Sequence, residues 1–368
     1  MPSNQVIKRS FNFLRRNMQA QLSWLKGCQL LDAGNRADGA IARRPDRQWV
    51  TPYFANLAAL AMLEEPAAHP LVERYLDWYL RHLRNDGAIP DHHYDHSMNL
   101  IKITRPDSED AYAGTYLSLA ARYRQKTGQT GWVRENLSGL KKVARVITGL
   151  MDKDGLTFAL ADYRVKYLMD NCEAYRGLAD FAALLQALGD REAGYFKERA
   201  AAIAGGIESR LWNRRHACYH PAKTGRFGTK IDLKNFYPDA ASQAFPALYG
   251  LTGPDSDRGA GLYALFNRHQ PDWATIQPPG YPWTLLALYA AQHGDYERAL
   301  AKLRHVREAY IIPQSEEWYC AEAAFFVLTC SQLLNKDNHR PKGPVLREFC
   351  QSRRAGRSLL IKHDQRPF

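Results

Sequence analysis

Asp107-Ser108-Glu109-Asp110-Ala111-Tyr112-Ala113 is the stretch whose reading decides the fold. Four polar groups follow Pro106 and give way at once to the apolar run Ala111–Ala121. Capping groups, then first-turn acids that suit the helix dipole, then an apolar stretch, mark the start of a helix. Comparable openings recur at Asp170-Asn171-Cys172-Glu173, Tyr237-Pro238-Asp239, Tyr281-Pro282-Trp283 and Glu316-Glu317-Trp318-Tyr319. Each stands at the start of an alternate helical stretch. If helices run up and down around a closed ring, alternate starts share one mouth. Acids and aromatics then converge there.

Working outward, apolar residues recur at helical rather than strand spacing almost throughout. The spacing predicts twelve helices, near 5–31, 50–64, 70–84, 108–127, 131–151, 171–188, 191–212, 239–251, 256–268, 282–293, 295–309 and 316–334. Gly189-Asp190 and Gly294-Asp295 each join a C-cap glycine to an N-cap aspartate, which makes tight antiparallel hairpins. Ala55–Leu63, Ala111–Ala121, Leu178–Leu188 and Trp283–Ala291 are apolar on nearly every face, as buried helices are. Trp132–Ile147, Arg191–Ile207 and Tyr296–Tyr310 carry a charged stripe and fit an outer layer.

The expected fold is therefore all-α: an (α/α)6 barrel forming one domain over 1–335, with a basic extension over 336–368. Long stretches at 85–107, 152–169, 213–237 and 269–281 each precede an inner helix, so the long loops share one face. Leu156–Tyr163, and Cys218-Tyr219 with Phe227–Ile231, are candidates for small β-hairpins there.

Composition is ordinary for a globular chain, with 45% hydrophobic and 24% charged residues. The net charge of +12 is not ordinary, and it points toward polyanions such as acidic polysaccharide. Much of the excess sits in Lys8–Arg16, Arg36–Arg47 and Arg340–Arg366, where a solvated basic surface is the plainer reading. Six scattered cysteines lack C-x-x-C spacing, and no signal-peptide core or membrane-spanning run is present, so a cytoplasmic location is expected. There is no phosphate loop, serine elbow, dinucleotide fingerprint or nucleic-acid module. No cofactor and no nucleic-acid partner are expected; oligomeric state is left open.

Hairpins with acids at the inner-helix starts resemble the six-hairpin glycosidase superfamily from about residue 50 to 334. Asp107–Ala113 resembles the inner-helix start of glycoside hydrolase family 8. That family's earlier glutamate has no counterpart in Gln48-Trp49-Val50-Thr51-Pro52-Tyr53. Asp110 and Asp170 are placed as two important aspartates are in unsaturated glucuronyl hydrolases, without the flanking motif. The paired histidines of sugar epimerases, the Gln-Trp repeats of class II terpene cyclases and the zinc ligands of lanthionine cyclases are missing.

The resemblance implies a glycoside hydrolase using two carboxyl groups on a carbohydrate. A polysaccharide lyase or epimerase on the same ring, or a non-catalytic carbohydrate-binding protein, remains as an alternative. Asp110 and Asp170 are the first catalytic candidates, with Glu316 or Glu317 third. Hydrolysis needs an acid and a base or nucleophile, about 6.5–9.5 Å apart for inversion and about 5–5.5 Å for retention. Trp49, Tyr53, His92, Asp107, Tyr112, Glu173, Tyr237, Asp239, Tyr281, Trp283 and Trp318 are candidates for binding substrate. Each has a plainer role: Asp107, Asp170 and Asp239 suit N-caps, Glu173 a capping box, and about half of the aromatics simple packing. Asp91-His92-His93-Tyr94-Asp95-His96 is rich in metal-ligand types but lacks a zinc spacing, so no metal is expected.

Overall fold

A computed structural model describes residues 4–276 and 281–338, with side chains over residues 10–276 and 281–335. Its helices are α1 (Asn4–Gly27), α2 (Pro52–Met62), α3 (His69–Arg81), α4 (Glu109–Thr127), α5 (Thr130–Glu135) and α6 (Leu137–Leu150). They continue with α7 (Leu168–Leu188), α8 (Ala193–Gly206), α9 (Phe245–Leu248), α10 (Asp257–His269), α11 (Leu285–Gln292), α12 (Tyr296–Val306) and α13 (Cys320–Asn338). The expected basic extension lies outside the described residues from 339 onward.

Six of these helices close a ring. α2, α4, α7, α9, α11 and α13 pack each against the next, and α13 returns to α2. Outside it, α1 lies on α13 and α2, α3 on α2 and α4, α6 on α4 and α7, α8 on α7, and α12 on α11 and α13. α10 meets α11 through Tyr263 and Phe266 against Tyr289. This is the all-α toroid that the alternation of apolar and striped helices predicts. The turn signals act as read: α4 and α7 end on left-handed Gly128 and Gly189, and Asp295 caps α12 by accepting the Arg298 N–H at 3.1 Å.

Several boundaries differ from the sequence reading, among them α1 ending at Gly27, α8 at Gly206 and α11 beginning at Leu285. α7 begins at Leu168, which moves Asp170 from a capping position into the first turn. The 239–251 helix contracts to α9 behind an irregular turn at Phe236–Ala240; Pro238 in that turn and Pro246 in the first turn of α9 each lack a backbone donor. The expected 131–151 helix is split at Asn136. The last inner helix starts at Cys320, whose N–H donates to the Arg43 carbonyl at 2.8 Å, so Glu316 and Glu317 fall in the preceding loop.

Three small antiparallel sheets decorate the loops. β1 (Trp49–Val50), β2 (Asp91–Tyr94) and β3 (Leu100–Thr104) form one. β4 (Val165–Tyr167), β7 (Ala222–Thr224) and β8 (Phe227–Gly228) form the second, and β5 (Trp212–Asn213) with β6 (Cys218–Tyr219) the third. Leu156–Tyr163 contributes only isolated bridges, Met151 to Thr157 and Leu160 to Tyr163.

Candidate active site

The starts of the inner helices enclose a cleft of about 340 Å³. α4 and α7 bring Asp107, Asp170 and Glu173 to it. Asp107 stands exposed just ahead of α4, Asp170 lies half-buried in the first turn of α7, and Glu173 is buried one turn further on.

Glu173 receives two phenols on one oxygen: Tyr53 Oη donates to Oε1 at 2.6 Å and Tyr249 Oη at 2.7 Å. Burial still pushes its carboxyl up to about 8, with Asp110 and Asp107 adding repulsion against those stabilising phenols. Asp170 is raised well above the ordinary carboxylate range, first by burial and then by the charges of Asp110, Glu173 and Asp107. Burial and the repulsion between neighbouring acids on two touching helix starts therefore favour the protonated forms of Asp170 and Glu173.

Sequence reasoning missed a second polar cluster on the neighbouring wall. Asp91 on β2 accepts Thr51 Oγ1 and Tyr112 Oη, each at 3.0 Å, and burial raises it to about 6. Arg43 Nε donates to Thr51 Oγ1 at 2.8 Å, while its guanidinium lies 3.5 Å from the centre of the Trp49 ring. Glu322, in the first turn of α13, accepts the Thr284 N–H at 2.7 Å and is raised by burial. Glu322 did leave a signal, as the one charged residue in the stretch Cys320–Asn335 of the last inner helix. Asp91 left little, because its partners are 40 and 21 residues away.

Aromatic rings complete the cleft. Trp283 is flanked by Tyr237 at 5.3 Å and Tyr281 at 6.2 Å between centroids, and Tyr281 meets Tyr319 at 6.0 Å. Tyr237 and Tyr281 stay 54% and 44% exposed, so their faces are open to a ligand. Tyr53 and Tyr112 stack at 6.0 Å beneath the acids.

Of the residues singled out from the sequence, Tyr53, Asp107, Tyr112, Asp170, Glu173, Tyr237, Tyr281 and Trp283 line this cleft. The others stand elsewhere. Asp110 is wholly buried behind the wall, accepting Thr157 Oγ1 at 2.6 Å and the Ala111 N–H at 2.9 Å, with burial raising it to about 6. Glu316 is exposed on the loop and paired with Arg47 at 2.8 Å, and Glu317 is part-buried beside it. Trp49 stacks on His93 at 4.7 Å outside the lining and supports Arg43. His92 is packed between Trp78 and His82, where burial and the His82 charge lower it to about 4. Asp239 accepts the Asp232 N–H at 2.9 Å and Asn235 Nδ2 at 2.7 Å, which braces its loop. Trp318 is core, its Nε1 donating to Gln21 at 3.0 Å. No group of His, Cys, Asp and Glu suited to a metal ion occurs among the described residues.

No family model and no curated protein matches this sequence. Solved structures do. A wild-type glycosidase superposes with TM-score 0.63 at 13% identity, covering 90% of this chain and 99% of its own. A rhamnosidase from Klebsiella oxytoca with rhamnose bound gives TM-score 0.64 at 14% identity, over 88% of this chain and 64% of that one. An alpha-L-rhamnosidase from Dictyoglumus thermophilum gives 0.61 at 14% identity, over 87% and 37%. At such identities the likeness speaks for architecture: the chain has the toroid fold that glycosidases and rhamnosidases share.

Proposed function

We propose that the protein is a glycoside hydrolase working by carboxylate acid and base catalysis in the inner-helix cleft. The observation that carries this reading is the convergence of Asp107, Asp170 and Glu173 on one aromatic-lined cavity. The fold shared with glycosidases supports it by analogy. Asp170 is the proposed general acid: its raised carboxyl keeps a proton to give to the departing glycosidic oxygen. Asp107, the most exposed of the three, is the proposed partner that activates water. Asp110 acts through Asp170 rather than on substrate. Tyr237, Tyr281 and Trp283 offer faces for the apolar side of a sugar ring.

An acidic sugar is favoured by Arg43 on the cleft wall, beside Arg105, which pairs with Asp162, and protonation of Asp170 and Glu173 removes repulsion that would oppose it. The narrower likeness to family 8 and to unsaturated glucuronyl hydrolases rests on Asp107–Ala113 and on the placement of Asp110 and Asp170. A one-domain toroid over 1–335 acting in the cytoplasm completes the proposal. Five buried free cysteines among the described residues fit a reducing compartment. None of the described helices is long and apolar enough to cross a membrane.

The test is mass-spectrometric product analysis after incubation with a panel of acidic and neutral oligosaccharides, beside an Asp170→Asn variant. Water-added fragments that vanish in the variant support hydrolysis at this site. Unsaturated products would indicate a lyase instead. Absence of any cleavage, with glycan still bound, would turn the reading to a binding protein.

A further inference from the structure

The helices that open the cleft end around a second cavity, at the other mouth of the ring. Its wall includes Glu64 just past α2, Ser118 to Gln125 on α4, Arg176 to Leu184 on α7, Gly250 and Thr252 past α9, and Gln332 on α13. The volume is about 880 Å³, more than twice that of the cleft. One layer of side chains separates the two: Tyr249 lines the lower cavity while its hydroxyl donates to Glu173 in the upper one.

The wall carries more cationic groups than it neutralises. Arg122, Arg124 and Arg176 face Glu64 and Asp180. Asp180 is taken by Arg176 at 2.7 Å, and Glu64 by Lys126 at 2.9 Å and by Ser331. Arg122 and Arg124 have no carboxylate within ion-pair distance among the described residues; Arg122 donates only to Gln125, at 2.6 Å. Around them stand neutral hydrogen-bonding groups, Ser118, Gln125 and Gln332, over an apolar floor of Leu60, Leu184 and Leu328. Thr252 on the same wall keeps a buried hydroxyl with no hydrogen-bond partner. Part of the arginine charge answers the helix C-termini that end here. That demand does not account for a roomy concavity with polar donors above an apolar floor, which is how ligand sites are built.

We propose that this lower cavity is a second binding site, for a polyhydroxylated anion of the sugar-acid type. Arg122 and Arg124 would hold the carboxylate, by the fork geometry that guanidinium offers to paired oxygens. The amides and Ser118 would take hydroxyls, and the leucines the apolar ring face. Both acids that line the cavity among the described residues are already paired, which leaves no free carboxylate among them to share a proton with a glycosidic bond. The site therefore binds without cleaving. This inference stands apart from the hydrolase reading, because none of its residues lines the upper cleft.

The test is isothermal titration calorimetry of the full chain with glucuronate, glucose and inorganic phosphate as probes. The Asp170→Asn variant, an Arg122→Ala/Arg124→Ala pair and Ala183→Trp are measured in parallel. Ala183 is exposed and lines the cavity, so tryptophan there obstructs it without entering the core. Glucuronate is expected to bind at least ten-fold more tightly than glucose or phosphate, with unchanged affinity in Asp170→Asn. The arginine pair and Ala183→Trp should each weaken it ten-fold or more while circular dichroism and melting temperature hold. Glucuronate binding that is lost in Asp170→Asn and kept in the other two would overturn the proposal. So would phosphate binding as tightly as glucuronate, or no binding of glucuronate at all.

Discussion

A methyl group on Gly177 would sit 2.3 Å from the carbonyl oxygen of Gly114, so α4 and α7 touch there backbone to backbone. Gly114 lies one turn beyond Asp110, and Gly177 one turn beyond Glu173, on the faces that carry the acids. Only two glycines let the helices come this close, and the closeness is what crowds the carboxyls. Gly114→Ala or Gly177→Ala should cost about 1–3 kcal/mol by forced separation, despite alanine's better helix propensity. Activity on any cleaved glycan should fall at least ten-fold. Gly131→Ala, on a helix with nothing near its added methyl, is the control and should not lose stability. Urea unfolding of the three variants measures the difference.

Asp110 offers a test of electrostatics without contact. Its charge is the largest contribution after burial to the raised carboxyl of Asp170. In Asp110→Asn that charge is gone, so Asp170 should release its proton at lower pH. The alkaline limb of the pH profile of kcat/KM should then move to lower pH. A limb that stays in place would remove Asp110 from the mechanism.

Glu173 predicts the direction in which stability depends on pH. Its carboxyl is raised from 4.5 to about 8, so the folded protein holds this proton where the unfolded chain has released it. The stabilisation is complete below the unfolded value and is lost as pH rises through the folded one. Denaturant unfolding at pH 5, 7 and 9 should show stability falling with pH, by an amount on the order of a few kcal/mol from this group. Glu173→Gln should flatten that slope and gain relative to wild type at high pH.

Tyr281→Ala removes an exposed ring beside Trp283. Folding stability should stay within about 0.5 kcal/mol, as for most surface changes. KM for a cleaved glycan should rise about ten-fold with kcat little changed, the pattern of lost ground-state binding. Steady-state kinetics separates the two constants.

The ring was legible because burial writes itself locally. Ala55–Leu63 and Leu178–Leu188 are apolar on all faces, and glycine–aspartate pairs mark the turns. Asp107, Asp170 and Glu173 were legible as neighbours because each sits at an inner-helix start. Glu316 and Glu317 read like such a start too. The helix begins four residues later because Cys320 is tied to the Arg43 carbonyl, a contact 277 residues away in sequence. Trp318 is drawn inward by Gln21 for the same kind of reason. Asp91 and Arg43 owe their places to strand pairing and to Thr51, and no local pattern announces such partners.

The seam where α13 and the loop before it meet α1, α2 and the segments flanking α2 has a temporal consequence. It is held by partners far apart in the chain: Ser331 on Glu64, Trp318 on Gln21 and the Cys320 N–H on Arg43. Closing so long a loop is entropically costly until the other hairpins have already shortened the path. During synthesis the wall bearing Asp107, Asp170 and Glu173 can be in place while Tyr319 and Glu322 are not yet made. A nascent chain ending before Cys320 is an open arc with its inner apolar faces uncovered, so the cleft is completed only once α13 has been made.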